Sequence, residues 1–482
     1  MHKKMLVAGV CAAALLGVTA VAPTASAVPG DTAAKGNRAD FNGDGYPDLA
    51  VSSHSAPAGD VKRAGVVAIV YGSPAGLRYD TASIVSKDTP GVPGDAAADE
   101  TWRAVDGFGD LDGDGYDDLV ITYGDDPFTV LWGSANGITG AGTAIPPGDF
   151  TPTSPKLFGR VGVGDVNGDG FDDIISYAQG GEPWIPEKSS SGISVLLGPI
   201  DRSTGEPAFR WYRDTAKLDD LWTHAVYVAD LTGDGIDDIA VSGIVPQAFG
   251  KTAWTVLKGS PTGLVKGSAW AGPHSSTNSY PSGTGDLNGD GYADLVAGFP
   301  YLSQVYVVYG GPDGISSTRA PRSYTQASSG VPGIDEAGDR FGSAVAVGDT
   351  DQDGYDDVVI GASYETGSDP ATTTEAGAIT MLRGSATGIT TTGAKSFTQN
   401  ASGMPSTSEN DDHFGATVEI IDTDGNGSPE VYVGGNGEDG YRGRVWKLLS
   451  DATGVTGTGA TSFQLGTLGG PTGGNFGAYM AG

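Results

Sequence analysis

Seven nine-residue segments of this chain set side-chain oxygens at a spacing suited to gripping a hard cation. They begin at Asp40 (DFNGDGYPD), Asp110 (DLDGDGYDD), Asp165 (DVNGDGFDD), Asp230 (DLTGDGIDD), Asp286 (DLNGDGYAD), Asp349 (DTDQDGYDD) and Asp422 (DTDGNGSPE), 55 to 73 residues apart. Oxygen donors fall at positions 1, 3, 5 and 9, and a glycine at position 6 lets the chain turn so that the carbonyl of position 7 points inward. The candidate ligands are Asp40, Asn42, Asp44, Tyr46 and Asp48; Asp110, Asp112, Asp114, Tyr116 and Asp118; Asp165, Asn167, Asp169, Phe171 and Asp173; Asp230, Thr232, Asp234, Ile236 and Asp238; Asp286, Asn288, Asp290, Tyr292 and Asp294; Asp349, Asp351, Asp353, Tyr355 and Asp357; and Asp422, Asp424, Asn426, Ser428 and Glu430. Calcium takes six to eight oxygens in flexible geometry and fits such a loop better than magnesium does; zinc is disfavoured because no Cys or His lies in any segment. A helical EF-hand needs a bidentate Glu at position 12, where this chain has Val51, Ile121, Ser176, Val241, Ala297, Ile360 and Val433. Coordination is therefore expected to close at position 9. Metal-free acidic turns are the alternative, but four donors at fixed offsets repel one another when empty. The expectation is up to seven Ca2+ sites, the fourth weakened by Thr232 and the seventh the most divergent.

The elements that must hold these loops are strands. After each loop comes a short β-branched or aliphatic run, such as Leu119-Val120-Ile121 or Val358-Val359-Ile360. A further strand ending in glycine follows, as Val66 to Tyr71 before Gly72. Next comes a turn such as Gly72-Ser73-Pro74-Ala75-Gly76-Leu77, and then a last strand such as Ser396 to Gln399. A strand also leads into most loops, although the segments before Asp110, Asp165 and Asp286 read as looser. Four strands repeated seven times predict an all-β, seven-bladed β-propeller of four-stranded antiparallel blades; an open β-solenoid, with shorter rungs, is the alternative. No strand precedes Asp40. Phe476 to Gly482 resembles Phe341 to Gly348 and has no acidic loop after it, so the C-terminal strand is expected to close the first blade.

The N-terminus reads as an export signal over residues 1–27: His2, Lys3 and Lys4, an apolar run from Met5 to Ala22, then Ala25-Ser26-Ala27. A linker over 28–37 and the propeller over 38–482 follow. Cys11, the one cysteine, falls inside the apolar run, so the expected secreted chain has no disulfide, and metal is the natural staple. The formal net charge is −32, and 27 of the 59 acidic residues lie inside the seven segments. Nucleic acid and anionic membrane are disfavoured as partners, and no second apolar stretch approaches spanning length.

The loops, their flanking strands and the pairs Phe341-Gly342, Phe414-Gly415 and Phe476-Gly477 together resemble the FG-GAP repeats of the integrin α-subunit propeller and of many secreted bacterial proteins. A Gly-Ala-Pro signature survives only loosely, as Ala297-Gly298-Phe299-Pro300 and Gly361-Ala362-Ser363. The resemblance implies calcium loops between the first and second strands of a blade. It does not carry over integrin function, because no Arg-Gly-Asp, adhesion insert, stalk or membrane span is present. His54, His224, His274 and His413 lie in no catalytic motif, and no G-x-S-x-G, P-loop or H-E-x-x-H occurs. Asp411-Asp412-His413 and Asp335-Glu336 with Asp339 read as solvated loops. Trp184, between Pro183 and Pro186, is a candidate ligand-facing aromatic or a pin for its own loop. The sequence thus points to a secreted, monomeric, calcium-binding recognition or adhesion module for an extracellular protein or glycan. A secreted hydrolase or lyase acting on polysaccharide or phosphoester is the alternative.

Overall fold

The computed structural model describes residues 38–102, 104–122, 128–146, 156–181, 189–214, 221–245, 251–274, 280–336, 338–366 and 373–482. The expected export signal and linker, and Trp184, lie outside the described residues. Seven four-stranded antiparallel sheets form a β-propeller ring. Six are contiguous in sequence. The sixth, for example, runs Phe341–Gly348, Asp357–Ala362, Ala378–Arg383 and Thr390–Phe397, and the seventh Phe414–Ile421, Glu430–Gly435, Arg444–Asp451 and Gly454–Phe463. The first blade is composite. Leu49–Ser53, Val66–Tyr71 and Arg78–Val85 supply three strands, and Phe476–Ala481 pairs with Leu49–Ser53 in the register Ala50↔Ala481 and Val51↔Met480. The closure expected from the Phe476 segment is thus in place.

The first strands of successive blades contact one another around the centre of the ring. The segments before Asp110, Asp165 and Asp286, which read as looser, are strands: Ala104–Gly109, Lys156–Gly164 and Tyr280–Gly285. Their glycines answer a steric demand. A Cβ on Gly107 would come 2.8 Å from Val163 of the next blade, one on Gly162 2.5 Å from Val228, and one on Gly283 2.7 Å from Val347. Strands that converge at the centre leave no room for a second side chain opposite each of these valines.

Between blades the packing is apolar. Seven clusters each join two neighbours; the one closing the ring sets Leu49, Val51 and Phe476 of the first blade against Tyr432, Val445 and Phe463 of the seventh. The Phe-Gly pairs serve this packing. Phe341, Phe414 and Phe476 are wholly buried, and Gly342, Gly415 and Gly477 take φ of 93°, 87° and 83° beside shifts in strand register. Trp102, Trp132, Trp254 and Trp446 are buried in the same layers.

Phe476 packs edge-on to Phe463, centroids 5.8 Å apart, across the closing junction. Phe476→Ala is expected to cost about 3–5 kcal/mol in urea denaturation. A loss below about 1 kcal/mol would mean that the closing strand does not hold the ring.

Candidate metal centres and the opposite face

Each acidic loop is shaped by its own backbone. The carboxylate at position 1 accepts the amide hydrogen of position 6 in all seven, from Gly45 to Asp40 through Gly427 to Asp422, at 2.7–3.0 Å. It also accepts that of position 5, as Asp44 N–H donates to Asp40 Oδ1 at 3.1 Å. Position 5 in turn accepts from position 7, Tyr46 N–H donating to Asp44 Oδ1 at 3.1 Å. Gly45 has a φ of 86° and open space where a Cβ would be, so backbone conformation alone requires glycine at position 6.

Position 9 ties each loop to the rest of its blade. Asp48, Asp118, Asp173, Asp238, Asp294 and Asp357 are wholly buried. In Asp48, Oδ2 accepts the Phe41 amide hydrogen and Oδ1 that of Gly72, which opens the next hairpin, both at 2.9 Å. Gly133, Gly198, Gly259, Gly310 and Gly384 repeat the hairpin bond. In the seventh loop Glu430 Oε2 accepts from the Thr423 amide and hydroxyl, while Oε1 faces the Lys447 ammonium at 2.9 Å. Burial pushes the aspartates up, to about 8 at Asp48, Asp118 and Asp173, about 7 at Asp294 and Asp357, and about 6 at Asp238. The amide bonds pull the other way, and the other carboxylates of the loop push further up.

This donor set fits a hard divalent cation. Carboxylate oxygens of Asp110, Asp112 and Asp118 lie within 4.8 Å of one another, as do those of Asp349, Asp351 and Asp353 and those of Asp422, Asp424 and Glu430. The seventh loop, read as the most divergent, is among those that converge. At position 3, Asn288 Oδ1 is buried with no hydrogen-bond partner among the described residues. Every candidate donor is an oxygen, and a cation would balance charge that burial leaves uncompensated. Basic side chains pair with candidate ligands at positions 3 and 5: Arg202 with Asp112 and Asp114, and Arg383 with Asp351 and Asp353.

Three loop positions have roles that sequence reasoning missed. Position 7 packs on position 4 of the preceding blade: a Cβ on Gly43 would meet the Tyr116 ring at 2.7 Å, on Gly113 the Phe171 ring at 2.2 Å, and on Gly289 the Tyr355 ring at 2.7 Å. Ile236, Tyr292 and Tyr46 cover Gly168, Gly233 and Gly425 in the same way. At the one remaining junction position 4 is Gln352, position 7 is Ser428, and Gln352 Nε2 donates to Ser428 Oγ at 2.8 Å. The matched change, large for glycine and small for aromatic, was the available signal. Position 8 also joins blades: Asp117 Oδ2 accepts the Asp40 amide hydrogen at 2.7 Å, and Asp172, Asp237 and Asp356 do likewise for Asp110, Asp165 and Asp286.

The face opposite the loops carries a run of rings and cations across the fifth to seventh blades. The Arg340 guanidinium lies 5.1 Å from the Tyr301 ring and 3.7 Å from that of Tyr364. Tyr364 stacks on His413, centroids 5.0 Å apart at 13°, and His413 meets Tyr441 edge-on at 6.5 Å. His413 Nε2 is 3.2 Å from Glu375 Oε2, and Tyr301 and Tyr441 are more than half exposed. Arg340 and His413, each just before a Phe-Gly pair, hold left-handed φ of 59° and 57°. The solvated-loop reading needs correction here: Asp339 and Asp412 are buried, because their carboxylates accept the Glu336 and Glu409 amide hydrogens beneath this surface.

Known proteins can now be set beside this geometry. The model of the FG-GAP repeat matches residues 38–70, 159–195, 282–311 and 341–381, and that of the FG-GAP-like repeat matches 110–176. Integrin alpha-V of Gallus gallus is 30% identical over 301 residues, 57% of this chain and 27% of that protein. Integrin alpha pat-2 of Caenorhabditis briggsae is 30% identical over 233 residues, 45% of this chain and 18% of that protein. Phosphatidylinositol-glycan-specific phospholipase D of Bos taurus is 32% identical over 158 residues, 31% of this chain and 17% of that protein. The matches thus span about a quarter or less of these relatives. Among solved structures, a Bacillus licheniformis rhamnogalacturonan lyase aligns with a TM-score of 0.37 at 14% identity, over 81% of this chain and 65% of that one.

Two outcomes follow from the loop geometry. Ser428→Tyr alone sets a ring against Gln352, whereas Gln352→Gly with Ser428→Tyr rebuilds the pairing of the other junctions. A double-mutant cycle in urea is expected to show coupling of roughly 1 kcal/mol or more in favour of the double variant; additive effects would refute the pairing. The second concerns pH. Carboxyls raised from the usual value near 3.9 hold protons more tightly when folded, so their contribution is full below that value and is lost as pH rises through about 6 to 8. In chelator the melting temperature is expected to fall between about pH 5 and pH 8.5, and a flat or rising profile would contradict the burial of position 9.

Proposed function

We propose that this chain, whose repeats match the FG-GAP models and whose propeller is similar to that of integrin α subunits, is a secreted, calcium-stabilised recognition module for an extracellular protein or glycan. The observation that carries the reading is the separation of the two faces. One face concentrates carboxylates that suit structural cations. The other presents Tyr301, Arg340, Tyr364, His413 and Tyr441 as one run, with exposed rings at both ends and a cation between aromatic planes. Amphipathic aromatics of this kind give contact area and orientation to a protein or sugar at little entropic cost.

Calcium in the loops has a structural part in this reading. The residues that would hold it are the side chains of positions 1, 3, 5 and 9 with the carbonyl of position 7, and the ion would supply the positive charge that the buried ninth position lacks. At tenfold excess over its dissociation constant each site adds about 1.4 kcal/mol. Several sites together would match a disulfide.

Thermal melts with and without chelator test the metal: calcium is expected to raise the midpoint and to flatten its pH dependence, and an unchanged midpoint would remove calcium from the stability argument. Protein and glycan arrays probed with the wild-type chain test the recognition face. Tyr301→Ala with Tyr441→Ala is expected to weaken any captured ligand about tenfold or more with the melt unchanged; undiminished binding would place the ligand elsewhere.

A further inference from the structure

The connections that enter the sixth and seventh blades share a pattern that the acidic loops do not explain. Gln326, Glu336, Asp339 and Phe341 recur at identical spacing as Gln399, Glu409, Asp412 and Phe414. Their contacts recur as well. Glu336 N–H donates to Asp339 Oδ2 at 2.7 Å, and Glu409 N–H to Asp412 Oδ2 at 2.6 Å. Gln326 Nε2 donates to Glu365 Oε2, and Gln399 Nε2 to Glu438 Oε2, each glutamate lying just after the second strand of its blade. The connection entering the second blade repeats the spacing as Lys87, Ala97, Glu100 and Trp102. There Ala97 N–H donates to Glu100 Oε2 at 3.0 Å, and the Lys87 ammonium pairs with the same carboxylate.

The three versions differ in their supply of positive charge. Lys87 brings its own to the second blade, and in the seventh Arg444 Nε lies 3.3 Å from Glu438 Oε1. In the sixth, oxygens of Glu336, Asp339 and Glu365 lie within 4.8 Å of one another, and among the described residues no Lys, Arg or His forms an ion pair with them. Gln326 is only 5% exposed; its amide abuts Glu365, and its Oε1, like that of Gln399 in the seventh blade, has no hydrogen-bond partner among the described residues. A buried acceptor without a donor beside three carboxylates without a counter-charge is an arrangement that a cation completes.

We propose that this sixth-blade pocket binds one Ca2+ ion through Glu336, Asp339, Glu365 and Gln326 Oε1, on the face opposite the acidic loops. The donors are all oxygen, which selects a hard cation, and four of them leave room for water in the six to eight positions that calcium fills. The site does not depend on whether the loops bind metal.

The second blade supplies the test. Gln326→Lys rebuilds its arrangement, placing an ammonium where the ion would sit, and Glu365→Gln removes a ligand at nearly constant shape. Equilibrium dialysis of the full chain at about 1 mM free calcium, within the range for extracellular sites, counts the ions bound. Each variant, folded by circular dichroism, is expected to bind one ion fewer than wild type, and Gln326→Lys is expected to keep the wild-type melting temperature in chelator. Asp112→Asn, in a loop, is expected to lose an ion independently, so that the losses add in the Asp112→Asn, Glu365→Gln double variant. If the loops bind nothing, wild type still takes up the one ion that Gln326→Lys and Glu365→Gln lose. An ion count equal to wild type in a folded Gln326→Lys or Glu365→Gln chain would overturn the proposal, as would a wild type that binds none.

Discussion

The structure depends on a carboxyl group that is buried and shared among three pieces of chain. In six blades the ninth loop residue is an aspartate with no exposed surface, one oxygen bonded within the loop and the other to the glycine that opens the hairpin. Removing that side chain would leave two buried amide hydrogens without acceptors, a heavier loss than the bond itself is worth. The loop, the second strand and the hairpin are therefore fixed as one body. Ionising that group has a cost in a low-dielectric interior, and the other carboxylates of the loop raise it. Part of the acidity of the chain is a consequence of how each blade is held.

Neighbouring blades are joined in two layers. Apolar clusters fill the space between sheets. On the loop face, position 8 carboxylates and position 7 side chains reach to the blade before. Pro47 and Pro429 occupy position 8 in the first and seventh loops. Proline has no amide hydrogen, so the bond that Asp117 N–H donates to the Asp40 carbonyl cannot form there. At the first loop the hairpin bond remains, Ser73 N–H donating to the Thr423 carbonyl at 3.1 Å, as Ser134 N–H does to the Phe41 carbonyl at the next junction.

Much of this was legible in the residues. Acidic offsets, short apolar runs and glycine-bounded turns repeat along the chain, and each is a local signal. Closure was legible too, since Phe476 to Gly482 is a strand pattern without a loop to follow. What escaped was whatever depends on two blades at once. The segments that hold Gly107, Gly162 and Gly283 read as looser, and the valine that each glycine must avoid lies in another repeat. The burial of Asp339 and Asp412 was hidden because a polar run was judged by its composition, whereas its backbone folds back to satisfy the carboxylates from within. The basic partners of the loops, Arg202 and Arg383, lie in neighbouring strands and turns and carry no spacing of their own.

The pairing of Ala50 with Ala481 joins residues about 430 positions apart. Most other strand pairs in the molecule are between neighbours in sequence, so six blades can gather from local contacts while the seventh sheet waits. Until the distant segment arrives, Leu49–Ser53 presents an unsatisfied edge, a template for another chain as much as for its own. Loop-closure entropy delays such a contact and lengthens the exposure. The ring thus places its most sequence-distant strand pairing and an edge that only this pairing covers at the same seam.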